Sequence, residues 1–331
     1  MHLEPKEIWS ITDASKLQDF MQCARYYFFT HILGWRWDAP NIHLEFGSAI
    51  HIAMDHLLTH GYGKESVLKA YLLFEDYYRE YFSEFDDEEN APKIPINVLV
   101  GLPKYVNQYR AEDAQDKTLF TEIAGSVLIS ETDVMYFKMD SVLYRPNRGI
   151  FSRDHKTGSS FGKGWAEQWT QSTQMGMYAH ALQCMLPLLV DKVANPVFWG
   201  MEVNGLFFRN APRLKQDGTL YANARETEFH RIPVLRGPEH MNDWLYTTQF
   251  WYDWLKTETA KLPECSDSDD VLMTFPKNPK GCDKYGGCRF MDFCSSWANP
   301  LRRCEKPPTN YIVEFWDPRS TQETANKVVK L

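Results

Sequence analysis

The chain has 331 residues and a formal net charge of −8, which argues against a protein that coats nucleic acid through overall charge and leaves local cations or a bound metal to meet phosphate. Seven cysteines, an odd count, and no charged-then-apolar leader argue against a disulfide framework and for a reducing cytoplasm, with no membrane partner. No Gly/Ser- or Pro-rich linker, internal repeat or G-x-x-x-x-G-K-[ST] loop appears, so one elaborated domain without an ATP-driven motor of its own is expected.

Taken in chain order, helical periodicity runs through Ser15 to Leu33, Gly47 to His60, Lys64 to Phe85 and Pro95 to Ala111. His51 sits beside the apolar stripe Ile50, Ala53, Met54, Leu57 and Leu58. Asp86-Asp87-Glu88-Glu89-Asn90 reads as a solvated loop. Strands follow through Thr118 to Leu143 and Gly149 to Lys156, then a helix over Trp165 to Leu189. Further strands fall at Val197 to Phe208 and Glu228 to Leu235, and a helix at Met241 to Leu262. Beyond Cys304, Tyr311 to Trp316 could dock on the core ahead of a polar tail left without structure. This order predicts an α/β protein whose single core spans 1–304, with a helical insertion at about 61–115 and a tail at 305–331.

The most informative stretch is Asp140 followed across a hairpin by Asp154-His155-Lys156. With a three-residue loop Asn147-Arg148-Gly149, Gly149 taking the left-handed position, Pro146 pairs with Ile150 and Asp140 lies opposite Lys156 and diagonal to Asp154. All three side chains then share one face and His155 points away; a two-residue loop would split them. Two carboxylates can hold a divalent metal, and the ammonium can touch a phosphate or an attacking water. A solvated strand with ordinary surface charge is the bland alternative. Gln174 and Tyr178, four apart on the next helix, share a face that could look at the hairpin. Among His43, His51, His56, His60 and His180, composition alone does not select a ligand.

The second constellation is Cys282, Cys288 and Cys294, with five residues between neighbours. Glycine-permitted turns can bring such thiolates around a metal centre that needs a fourth ligand. Candidates are Cys23, Cys304, Cys265 and Cys184, of which Cys184 lies in an apolar stretch and reads as buried. The absence of a C-x-x-C pair weakens the case for a zinc ribbon.

The ordered set Cys23, His51, Asp140, Asp154-x-Lys156, Gln174-x-x-x-Tyr178 and the cysteine trio resembles the PD-(D/E)xK nucleases of the RecB-like branch that carry an iron-sulfur cluster, of the AddB nuclease-domain and CRISPR-adaptation exonuclease type. The resemblance implies a restriction-endonuclease-like core, a central mixed β-sheet flanked by helices, with 15–34 and 281–304 forming the cluster-binding region. It assigns His51, Asp140 and Asp154, with His155 through its backbone, to Mg²⁺ or Mn²⁺. Lys156 becomes the catalytic lysine, Gln174 and Tyr178 position substrate, and Cys23, Cys282, Cys288 and Cys294 hold a cluster of [4Fe-4S] type. Two departures stand out: five residues separate the second and third cluster cysteines where many relatives have two, and His155 replaces a commoner apolar residue.

The expected activity is metal-dependent hydrolysis of DNA, single-stranded or with free ends, as an exonuclease in recombination or repair, working beside a helicase or recombination partner. Lys156, Arg153, Lys163, Arg25 and Arg36 are candidates for a basic channel. The alternatives are a nuclease-fold protein that only binds DNA ends or a recombination partner, and a four-thiolate zinc protein.

Overall fold

The computed structural model describes residues 3–194, 196–209, 216–217, 219, 227–265, 271, 273–283, 287–296 and 306–331. Among these, helices α1 (Ala14–Gln22), α2 (Ala24–Tyr27), α3 (Ile42–His60), α4 (Lys64–Arg79), α5 (Asp87–Asn90) and α6 (Pro95–Asp113) precede the central sheet, with the short strand β1 (Trp35–Trp37) between α2 and α3. The sheet begins with β2 (Lys117–Leu128), β3 (Val134–Arg145) and β4 (Gly149–Gly158). Helices α7 (Lys163–Glu167) and α8 (Thr173–Met185) lead to β5 (Phe198–Phe208) and β6 (Thr227–Val234). Then come α9 (Pro238–Lys261), α10 (Met291–Ser296), β7 (Tyr311–Val313) and β8 (Lys327–Lys330).

Six strands form one sheet in the order β6-β5-β4-β3-β2-β8, and β1 pairs with β7 in a separate two-stranded ribbon. Within the sheet β4/β5 and β2/β8 are parallel and the other neighbours antiparallel. This is the expected mixed sheet flanked by helices. One face buries Met201 and Val203 with Leu17 of α1, Leu182 of α8 and Trp244 of α9. The opposite parity of β5, Leu206 and Phe208, joins Phe46 and Ile50 of α3, Phe74 of α4 and Tyr105 of α6. Alternation along one strand therefore serves two cores, as expected for a sheet covered on both sides.

Several sequence expectations shift. The first long helix is interrupted at Cys23, whose extended backbone (φ −163°, ψ 110°) separates α1 from α2. The helix expected over Trp165 to Leu189 breaks before α8, where Ser172 caps by accepting from the Met175 N–H. The acidic run is partly helical, and Arg79 grips Asp87 through two bonds of 2.8 and 2.7 Å. Residues 306–331 are not an unstructured tail: β7 and β8 pair with β1 and β2. Their strands are too short, and their partners too distant in sequence, for a local pattern to reveal them.

A buried ionic cluster clamps the helical segment to the sheet. Arg153, 1% exposed, donates from Nε to Glu202 (2.7 Å) and from Nη2 to Asp116 (3.0 Å), and its Nη1 lies 3.2 Å from Asp113. Arg231 donates to Asp113 (2.5 Å) and to the Tyr105 hydroxyl (2.9 Å), and Arg148 donates to Glu202 (2.7 Å). A buried ion with its partner deleted loses far more than an exposed one. Arg153→Met should therefore lower unfolding free energy by about 3–5 kcal/mol, measured by urea denaturation; a change within about 0.5 kcal/mol, the scale of ordinary surface substitutions, would show the cluster to be energetically neutral.

Candidate metal-dependent active site

The hairpin that carries the acids has the expected three-residue loop, set one residue earlier in the chain than the sequence count places it. Arg145 pairs with Gly149 and Tyr144 with Ile150, so the loop is Pro146-Asn147-Arg148, and Gly149 has a left-handed backbone (φ +104°). A Cβ there would also stand 2.4 Å from the Val197 carbonyl oxygen, so only glycine fits. The correction is a shift of two residues in register, which preserves side-chain parity. Asp140 is thereby level with Asp154 rather than with Lys156.

Pairing between β3 and β4 ends at Val142 and Ser152. Beyond that point side chains bridge the strands: Ser141 Oγ donates to the Arg153 carbonyl (2.9 Å), and the His155 N–H donates to Asp140 Oδ2 (2.7 Å). Asp140 Oδ1 faces His51 Nδ1 of α3 at 3.1 Å. Lys156 Nζ forms an ion pair with Asp154 Oδ2 at 2.9 Å, and Asp154 is buried. On α8, Gln174 Nε2 donates to the Tyr178 hydroxyl (2.8 Å).

Sequence reasoning missed Glu122. Among the described residues, ligand atoms of His51, Glu122 and Asp140 come within 4.8 Å of one another. Thr121 pairs with Ser141 and Ile123 with Met139, so Glu122 lies opposite Asp140. The signal that marks it is the register across the turn between β2 and β3. Glu122 also has φ +45°, a left-handed conformation that costs a non-glycine residue roughly 1–2 kcal/mol. The His155 ring lies outside this group: its Nδ1 is 2.8 Å from Asn204 Nδ2, which also donates to the Tyr105 hydroxyl.

These groups perturb one another. Burial opposes ionisation of Asp140, yet His51, His155 and Lys156 hold its carboxyl well below the usual range. Burial and the Asp140 charge push Asp154 up, against the pull of Lys156. The same two causes raise Glu122, against Lys138. Burial would lower His51 and Lys156, but neighbouring carboxylates raise both. The Glu122 and Asp140 carboxyls and the His51 imidazole form a hard donor set suited to Mg²⁺ or Mn²⁺. They border a cavity of about 1370 Å³ that also takes in Lys156, Gln174 and Trp316.

The cysteines gather elsewhere. Cys23, Cys282, Cys288 and Cys294 line one cavity of about 120 Å³ with Tyr26, Phe29 and Phe290. The helix break at Cys23 presents its thiol there, where the Asn278 N–H donates to it (3.4 Å). Cys265 is buried elsewhere and donates to the Lys261 carbonyl (3.4 Å). Cys184 is exposed, correcting the expectation of burial: an apolar run on a helix still turns one side outward. Cys304 lies outside the described residues.

The basic channel also needs correction. Arg153 is committed to its ionic cluster, and Arg25 is 3% exposed with Nε donating to the Phe275 carbonyl (2.7 Å). Their local sequences do not reveal burial because their partners come from distant segments. Arg36 pairs with Glu314, and Lys163 is exposed beside Glu167. Among the described residues no helix is long and apolar enough to cross a membrane.

A family model described as PD-(D/E)XK nuclease superfamily matches residues 13–295. No curated protein matches the chain.

Burial drives the His155 imidazole from 6.5 down to about 3. Its folded value lies below the unfolded one, so the unfolded chain binds the extra proton and stability falls as pH drops from about 6.5 towards 3, by up to about 1.4 kcal/mol per pH unit. Asp140, depressed when folded, adds a loss below about pH 4. Between pH 7 and 5, His155→Gln should lose less stability than wild type in urea titrations; equal losses would remove His155 as the acid-sensitive group.

Proposed function

Because the chain belongs to the PD-(D/E)XK nuclease superfamily, we propose that it is a metal-dependent deoxyribonuclease whose active site is the cleft around Asp140, Asp154 and Lys156. The observation that carries this reading is the convergence of His51, Glu122 and Asp140 beside the buried Asp154–Lys156 pair. His51, Glu122, Asp140 and Asp154 would hold Mg²⁺ or Mn²⁺. When bound, the metal supplies a more acidic water and neutralises charge on the phosphate. Lys156, held charged by two carboxylates, would orient the attacking water and stabilise the transition state. Asp140 would stay ionised as a permanent ligand. His155 would serve through its backbone, its N–H fixing Asp140 while Asn204 holds the ring away from the metal. Gln174, which lines the cleft, would position the substrate strand, with the Tyr178 hydroxyl accepting from its Nε2.

The proposed substrate is single-stranded DNA or DNA with free ends, cut as an exonuclease during recombination or repair, with a separate helicase or recombination protein as partner. The half-buried Trp316, which lines the cleft with Gln174, would be the aromatic on which an unpaired base stacks. The four cysteines around one cavity support an iron-sulfur cluster of [4Fe-4S] type, acting as a staple because hydrolysis has no redox step. Thiols of this kind fit the reducing cytoplasm.

Asp154→Asn and Lys156→Ala should each lower Mn²⁺-dependent hydrolysis of end-labelled DNA by about a hundredfold or more while DNA binding survives. Wild-type rates in both would remove this active site, and binding without hydrolysis by the wild type would favour an end-binding protein. Rapid cutting of closed circles would point to an endonuclease instead.

Cys23 lies far from its three proposed partners in sequence, so ligation closes a long loop, worth about 4 to 5 kcal/mol in the covalent cross-link picture. Cys23→Ser and Cys288→Ser should lose iron and melt lower, whereas Cys184→Ser should keep its iron. Metal analysis of anaerobically purified protein decides this; zinc in place of iron would overturn the cluster.

A further inference from the structure

The segment that ends in β8 returns to the sheet beside the candidate metal ligands. β8 lies parallel to β2, with Ile123 against Lys327 and Ser126 against Lys330. At the head of that pairing the Asn326 N–H donates to the Glu122 carbonyl (2.8 Å), and Asn326 Nδ2 donates to Thr121 Oγ1 (2.9 Å). Lys138 contacts the Glu122 carboxylate and donates to Thr324 Oγ1 (3.2 Å). Thr324 and Asn326 line the same cleft as His51, Glu122 and Asp140.

Glu122 combines this grip with its left-handed backbone (φ +45°). Such a conformation persists in a non-glycine residue only where the surroundings hold it. In the centre of a strand the neighbouring ladder would ordinarily impose extended geometry. Here the carbonyl is met by a donor from a segment that arrives 205 residues after Thr121.

We propose that residues 324–330 are a positioning element for the metal site. The Asn326 N–H holds the Glu122 backbone in the turn that aims its carboxylate at Asp140 and His51, and Thr324 restrains the lysine that shares that carboxylate. This inference rests on the nuclease reading of the cleft. Asn326 touches no reacting group and acts through Glu122.

The test is calorimetric titration of Mn²⁺ into metal-stripped protein. Asn326→Pro removes the donor N–H at a position just before an edge strand, where proline is tolerated. It should weaken Mn²⁺ binding by about 10- to 100-fold, the usual effect of losing a group that orients a ligand. Deletion of 325–331 should do the same, and Asn326→Ala, which keeps the N–H, should bind Mn²⁺ like wild type. Because the ligands themselves remain, kcat of Asn326→Pro should recover when Mn²⁺ is raised to saturation. Wild-type affinity in Asn326→Pro, or a kcat that no Mn²⁺ concentration restores, would overturn the proposal. A wild-type protein that binds no Mn²⁺ would overturn the nuclease reading and this inference together, a distinguishable result.

Discussion

The site depends on a carboxylate doing the work of a strand hydrogen bond. Where β3 and β4 part after Val142 and Ser152, Asp140 accepts the His155 N–H that the ladder would otherwise have paired. A buried N–H needs a partner, so the strands can separate here only because the side chain supplies one. The separation opens the space in which a metal and phosphate would meet. The acceptor is thereby fixed in orientation and kept ionised by His51 and Lys156.

That arrangement is braced from behind. His155, on the far side of β4 from Asp154 and Lys156, is fixed by Asn204 of β5, which reaches Tyr105 of α6, which in turn receives Arg231 of β6. Arg231 and Arg153 end on Asp113 at the close of α6. The helical segment therefore does more than cover an apolar face: its last turn anchors the chain of polar contacts that holds the floor of the cleft. Removing a member from such a network leaves other buried groups without partners.

Net negative charge is compatible with a phosphate substrate because the relevant field is local. The carboxyls of Glu122, Asp140 and Asp154 raise one another's cost of ionisation, and a divalent cation would convert that repulsion into binding. Many of the arginines near the sheet are consumed by internal acids, so the chain's cationic residues cannot be read as a DNA-binding surface.

The sequence by itself determined the alternation of β4, and with it the division between Asp154 and Lys156 on one side and Arg153 and His155 on the other. An error of two residues in hairpin register left that division intact, since side chains repeat every two residues. Helical spacing likewise joined Gln174 to Tyr178. What only the tertiary structure decided was what long sequence separation hides: Glu122 beside Asp140, the burial of Arg153 and Arg25, the one cavity lined by Cys23, Cys282, Cys288 and Cys294, and the return of Asn326 to Glu122. Local pattern records the direction in which a side chain points. It does not record which distant segment arrives to meet it, because that is fixed by the packing of two apolar cores on opposite faces of one sheet.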